Sequence, residues 1–257
     1  MKIVFANEMG GGWGHLLRLK PIARELIADG NRVVVFCHEA AKARVAMEGL
    51  GVEIEQTPAW IIRKTGFSLN FAQCIWGNGY WDEALFRSHF AWWRERFRAI
   101  KPDYVLSDYA PTALLSALTS AIPRGIIGTG FTVPPSAVPM PSLHPWLSLP
   151  ETRLTEAEAM LVERLRSVEA SIDSVADIFR GAQRFLTIFR ETDSYENRVE
   201  DRYWGPILDG GTEADYRWPE GSTPRVLFYM SMANRCLKDF IDHIGRLGLS
   251  AIGYVKN

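Results

Sequence analysis

Residues 2–37 hold two apolar runs, separated by a glycine-rich turn and a helix. Lys2–Ala6 is short, apolar and bounded by glycines, so it reads as a buried strand. Leu16, Leu19, Ala23, Leu26 and Ile27 follow at helical spacing, and Gly30 stops the pattern. Arg32–Cys37 is an unbroken β-branched run. Strands that are apolar on both faces and joined by a helix form a parallel pair covered on both sides, with a right-handed crossover. The pattern continues with helix Ala40–Leu50, strand Val52–Gln56, strand Tyr104–Ser107, helix Ala113–Ser120 and strand Arg124–Ile127. The expectation is an α/β fold, a Rossmann-like doubly wound parallel sheet.

Composition narrows the functional classes. The chain has 257 residues, 47% hydrophobic and 23% charged, which excludes a disordered chain. Its net charge of −1 gives no basic face for nucleic acid. Cys37, Cys74 and Cys236 fit no metal spacing and no disulfide framework, which points to a reducing compartment and no metal site. The amino terminus lacks a signal-peptide apolar region, and no run is long enough to span a membrane. A soluble cytoplasmic protein is expected. No feature specifies an oligomeric state.

Two segments interrupt the alternation. Thr57–Ile100 holds five of the nine tryptophans, and its second half spaces Phe86, Phe90, Trp93, Phe97 and Ile100 along one helical face. Three readings stand for it: a helix packed on the sheet, an apolar acceptor pocket, or a peripheral membrane contact helped by Arg87, Arg94, Arg96 and Arg98. Thr132–Pro150 has six prolines in nineteen residues, which predicts an irregular loop over the carboxyl end of the sheet. A helix over 155–180 follows, capped by Thr155 and Glu158, with Leu161, Leu165, Val168, Ile172, Val175 and Phe179 as its stripe. Strand Arg184–Ile188 leads to Tyr203–Pro206, which closes a first domain, 1–206. Residues 207–223 are acidic, glycine-rich and aperiodic, the composition of a linker. Residues 224–257 begin a second unit, with strand Arg225–Met230, helix Ala233–Leu247 and strand Ser250–Val255.

Chemistry concentrates where strands end. The turn carrying Gly10, Gly11, Gly12 and Gly14 opens a helix, a geometry that presents backbone N–H groups to phosphate. It matches neither the dinucleotide fingerprint nor the P-loop. His15, at the end of the first strand, is a candidate general base or a helix cap. Asp108, at the end of Tyr104–Ser107, either orients His15 or, like Ser107, caps the next helix. Asp103 precedes that strand and lies on the wrong edge. Glu39 is a ribose contact or a helix start. His89 reads as a packed histidine, His144 faces the cleft among prolines, and His243 has no role.

In Gly12-Trp-Gly-His15 and the helix through Gly30-Asn31-Arg-Val-Val-Val-Phe36, the chain resembles the amino-terminal domain of GT-B glycosyltransferases. The closest type is the UDP-glycosyltransferase and macrolide or antibiotic transferase group. Pro102-Asp-Tyr-Val-Leu-Ser-Asp108 with Ile122-Pro-Arg is similar to a second phrase of that family, and Tyr203-Trp-Gly-Pro206 to the end of its first domain. Asn31 and Ala121 depart from the family pattern, which has histidine and glycine there.

The resemblance implies that His15 deprotonates an acceptor hydroxyl, with Asp108 as its partner. The hydroxyl then attacks a nucleotide-activated sugar with inversion. The donor is a nucleotide-sugar co-substrate such as a UDP- or dTDP-sugar, with no cofactor and no metal. The glycine loop faces the donor phosphates. An apolar small-molecule or lipid acceptor sits among Trp13, Trp60, Phe67, Trp76, Trp81, Phe131 and His144. The chain stops before the family's donor signature, so a fragment inactive by itself is expected. A non-catalytic acceptor-binding module that needs a separate donor chain is the alternative. A nicotinamide oxidoreductase is disfavoured by the failed fingerprint.

Overall fold

The computed structural model describes every residue except 64–66, 170, 196–197, 199–200, 210–216, 219–222 and 257. Its first unit, Met1–Asp209, is built on six strands. They are β1 (Lys2–Asn7), β2 (Arg32–Cys37), β3 (Glu53–Gln56), β4 (Tyr104–Ser107), β5 (Arg124–Gly128) and β6 (Gln183–Leu186). Their order is β3-β2-β1-β4-β5-β6, and every pairing is parallel. Helices α1 (Trp13–Ala28), α2 (Ala40–Ala46), α3 (Phe71–Ile75), α4 (Glu83–Ile100), α5 (Pro111–Thr119) and α6 (Glu151–Arg166) surround it.

The strand period of two divides the core. Ile3, Phe5, Val33 and Val35 pack with Leu16, Leu19, Ala40 and Ala43 from α1 and α2. Val4, Ala6, Val34 and Phe36 pack with Trp93, Phe97, Ala113 and Ala117 from α4 and α5. The aromatic stripe of α4 is therefore buried against the sheet, with Phe86, Phe90, Trp93 and Phe97 all inside. It offers no face to a membrane. Among the described residues, no helix is long and apolar enough to cross one.

From β1 the chain runs to β2 and β3 on one side of the sheet. It returns to β4, β5 and β6 on the other. The carboxyl ends of β1 and β4 thus form the topological switch point, where open α/β sheets place their ligands.

Directly after β1, Glu8 is fully buried. Its carboxylate accepts from the Trp93 indole at 2.9 Å and from the Thr112 N–H at 2.6 Å. Burial pushes its pKa up to about 7, against the lowering effect of those bonds. The native state therefore holds a proton that the unfolded chain releases above pH 4.5. Stability from this group is full below pH 4.5 and is lost as pH rises through 7. His89, whose ring lies tilted against Trp60 at 3.8 Å, is shifted the other way, to about 4 by burial, and its contribution to stability is lost as pH falls from 6.5 through 4. The Glu8→Gln variant should lose the alkaline-side decline, a difference of about 3 kcal/mol across the window. Melting temperatures from pH 4.5 to 8 test this, and parallel curves for the two proteins would refute it.

Several predicted bounds shift. The second helix stops at Ala46, because Gly49 and Gly51 turn with positive φ. The predicted helix over 155–180 is two segments: α6, then a 3₁₀ turn at Val175–Phe179. Thr155 lies inside α6 and donates to the Glu151 carbonyl at 3.2 Å, and Glu158 turns inward to the Met140 N–H. The capping box instead forms between Ser174 and Asp177. The last sheet strand is Gln183–Leu186 rather than Arg184–Ile188.

The second unit, Gly210–Asn257, contains parallel strands β7 (Arg225–Ser231) and β8 (Ser250–Lys256) with helix α7 (Leu237–Arg246) between them. The predicted helix there began at Ala233. Most of the predicted 207–223 linker lies outside the described residues.

Candidate active site

The loop after β1 must turn sharply to start α1. Gly12 is the N-cap at φ +89, a conformation that favours glycine. Its N–H donates to the Glu39 carboxylate at 2.5 Å, so a protein carboxylate already occupies that N–H. Burial raises the Glu39 pKa, but the Gly12 and Lys42 bonds outweigh it and hold the carboxyl below its usual range. Glu39 is also the N-cap residue of α2, the helix-start reading.

One turn into α1, His15 Nδ1 lies 2.8 Å from Asp108 Oδ1. Arg18, one turn further on, donates from Nη1 to Asp108 Oδ2 at 2.9 Å. Asp108 follows β4 and its side chain is wholly buried. Both of its oxygens are engaged, so it does not cap α5, whose N-cap is Ala110. Ser107 makes the local turn instead, its hydroxyl bonding Ala110. The backbone fixes the carboxylate further: Asp108 N–H donates to Ala6 O at 2.8 Å, and Asn7 Nδ2 donates to Asp108 O at 2.9 Å.

With Nδ1–H given to Asp108, the imidazole keeps Nε2 as an acceptor. Gly10 is packed against that ring. A Cβ there would sit 2.4 Å from Asn7 Nδ2 and 2.8 Å from His15 Nε2, so a side chain would displace the imidazole.

A cavity of about 260 Å³ opens at this edge. Gly10, Gly11, Gly14, His15 and Arg18 line one side, and Tyr109, Thr129, Phe131 and Thr132 the other. The outer wall belongs to the loop after β5, which a buried ion network anchors. Arg198 donates to Gly130 O at 3.0 Å and pairs with Asp193 and Asp201, and Tyr203 donates to Asp193 at 2.7 Å. Burial raises the Asp201 pKa, but Arg184 and Arg198 outweigh it and hold it low.

The predicted acceptor residues do not converge. Phe131 lines the cavity with His15. Trp13 is exposed at the start of α1. Trp60 stacks on Tyr80 and lies tilted against His89. Trp76 lines a separate cavity with Glu83 and Arg164, and Trp81 lies under Arg63. Phe67 and His144 stack on each other at 3.7 Å, and His144 Nε2 is 2.9 Å from Ser68 O. Arg18 and Tyr109 were not anticipated. The i, i+3 spacing from His15 was the available signal for Arg18. Tyr109 sits at φ +55, which nothing in its neighbours announces.

The doubly wound sheet has the fold of the amino-terminal part of GT-B glycosyltransferases, which solved structures share. The chain matches the glycotransferase of kitacinnamycin with a TM-score of 0.58 and 16% identity, over 99% of this chain and 65% of that one. It matches the Streptomyces sp. SF2575 glycosyltransferase SsfS6 at 0.56 and 17%, over 100% and 68%. It matches CalG4, the calicheamicin glycosyltransferase, at 0.60 and 14%, over 100% and 66%. The chain thus spans about two thirds of the length of these enzymes. No family model and no curated protein matches the sequence.

Proposed function

We propose that this chain carries the acceptor side of an inverting glycosyltransferase that uses a nucleotide-sugar donor. The observation that carries the reading is the 2.8 Å pairing of His15 Nδ1 with Asp108, beside a cavity at the switch point. In this mechanism Nε2 of His15 takes the proton of an acceptor hydroxyl as its oxygen attacks the anomeric carbon. The bond to the nucleoside diphosphate breaks on the opposite face, and the diphosphate leaves with the electron pair. Asp108 holds the ring and balances the imidazolium that forms. SsfS6 has been solved with thymidine diphosphate, which makes a thymidine-diphospho-sugar the first donor to try.

The test supplies a donor-binding domain to the protein and incubates the pair with thymidine- and uridine-diphospho-sugars and a panel of hydroxylated aromatic aglycones. Mass spectrometry should show an aglycone gaining one sugar, with an inverted anomeric configuration by NMR. An aglycone that binds but never gains a sugar would favour the non-catalytic acceptor module.

A further inference from the structure

Arg18 is the one charged side chain, besides His15 when protonated, among the described residues lining the 260 Å³ cavity. Its side chain is 13% exposed, and one guanidinium nitrogen is committed to Asp108 Oδ2. Nε and Nη2 have no protein partner among the described residues. A guanidinium offers five N–H donors in a planar fork, and a mostly buried one with free donors at a cavity wall is matched by an oxyanion. The nearby alternative is closed, because the Gly12 N–H already carries the Glu39 carboxylate, whose charge repels a second anion. The rest of the lining includes Met9, Tyr109, Phe131 and two threonines, with no cation of its own.

We infer that Arg18 is an oxyanion-recognition residue, binding a carboxylate, phenolate or phosphate oxygen of the ligand beside His15. The inference rests on reading this cavity as the substrate site. Two sources share that chemistry: an acidic group on the acceptor, or the diphosphate of the donor.

The experiment measures binding to the protein by NMR titration, without turnover. The probes are 4-hydroxybenzoate, its neutral isostere 4-hydroxybenzamide, and thymidine diphosphate. The wild-type protein should bind at least one anionic probe, with the benzoate about 10-fold tighter than the amide if the acceptor supplies the anion. Arg18→Gln should erase that preference, and Arg18→Lys should restore part of it. If only thymidine diphosphate depends on Arg18, the inference stands and the donor supplies the anion. Arg18→Gln leaves Asp108 with one partner fewer, so Arg18→Lys, which keeps the charge, guards against simple misfolding. Anion binding that is absent, or unchanged in both folded variants, overturns the inference. Because no turnover is needed, loss of the transferase reading would leave this result standing. Conversely, His15-dependent transfer with Arg18-independent binding would remove this inference alone.

Discussion

The His15→Ala variant of the active transferase should lose about 10²- to 10⁴-fold in kcat, the usual weight of a positioned general base. Asp108→Ala should lose a comparable amount, and the double variant little more than either single one. The reason is geometric. Asp108 reaches the proposed base through one contact, Oδ1 to His15 Nδ1 at 2.8 Å, so once the imidazole is gone it has no base left to orient, and its other oxygen still holds Arg18. Aglycone binding should change far less than rate in His15→Ala. Asp108→Ala carries a second cost, because it strips Arg18 of its partner in a largely buried position, and it should unfold at a lower temperature. Single-turnover rates for the four proteins form the decisive cycle. Fully additive losses would show that the two residues act separately and would remove the dyad from the mechanism.

Trp93→Ala should destabilise the protein by about 3–5 kcal/mol, among the largest effects of any single core substitution. Trp93 is completely buried, meets Phe36 edge-on at 5.6 Å and Phe97 at 5.5 Å, and joins α4 to β1 and β2. The substitution also removes the indole N–H that Glu8 accepts at 2.9 Å, leaving one oxygen of a buried carboxylate without its donor. Trp93→Phe narrows the comparison, since it keeps a six-membered ring in place and loses the N–H with the rest of the pyrrole. Urea unfolding of the three proteins measures both. A cost below about 1.5 kcal/mol for Trp93→Ala would mean that the site relaxes far more than its packing suggests.

Much of the sheet was legible because β1, β2 and β4 are continuous apolar runs ended by glycine, proline or polar residues. Their order alone places His15 and Asp108 at the same edge of the sheet. The helix over 155–180 misled because its apolar spacing continues through Ile172, Val175 and Phe179, all buried in the same cluster as Leu161 and Leu165. Two segments that face one core keep the period even though the chain breaks between them. The break itself was written in Ser174 and Asp177, a Ser-x-x-Asp cap inside the presumed helix. The tryptophans misled for a related reason. Trp60 and Trp76 pack against the same core cluster, whereas Trp81, beyond the tight turn at Trp76–Tyr80 where Gly79 lies at φ +127, sits under Arg63. Arg18 escaped notice because an arginine on an amphipathic helix ordinarily faces water, and only the distant Asp108 gives it another destination.

The outer wall of the cavity comes from a different stretch of chain than its charged side. Thr129, Phe131 and Thr132 follow β5 and are held from below by Arg198 and Asp193, whereas the histidine, aspartate and arginine hang from β1, α1 and β4. On the proposed function, exchange of the loop after β5 would resize the chamber for a different guest while His15, Asp108 and Arg18 keep their positions.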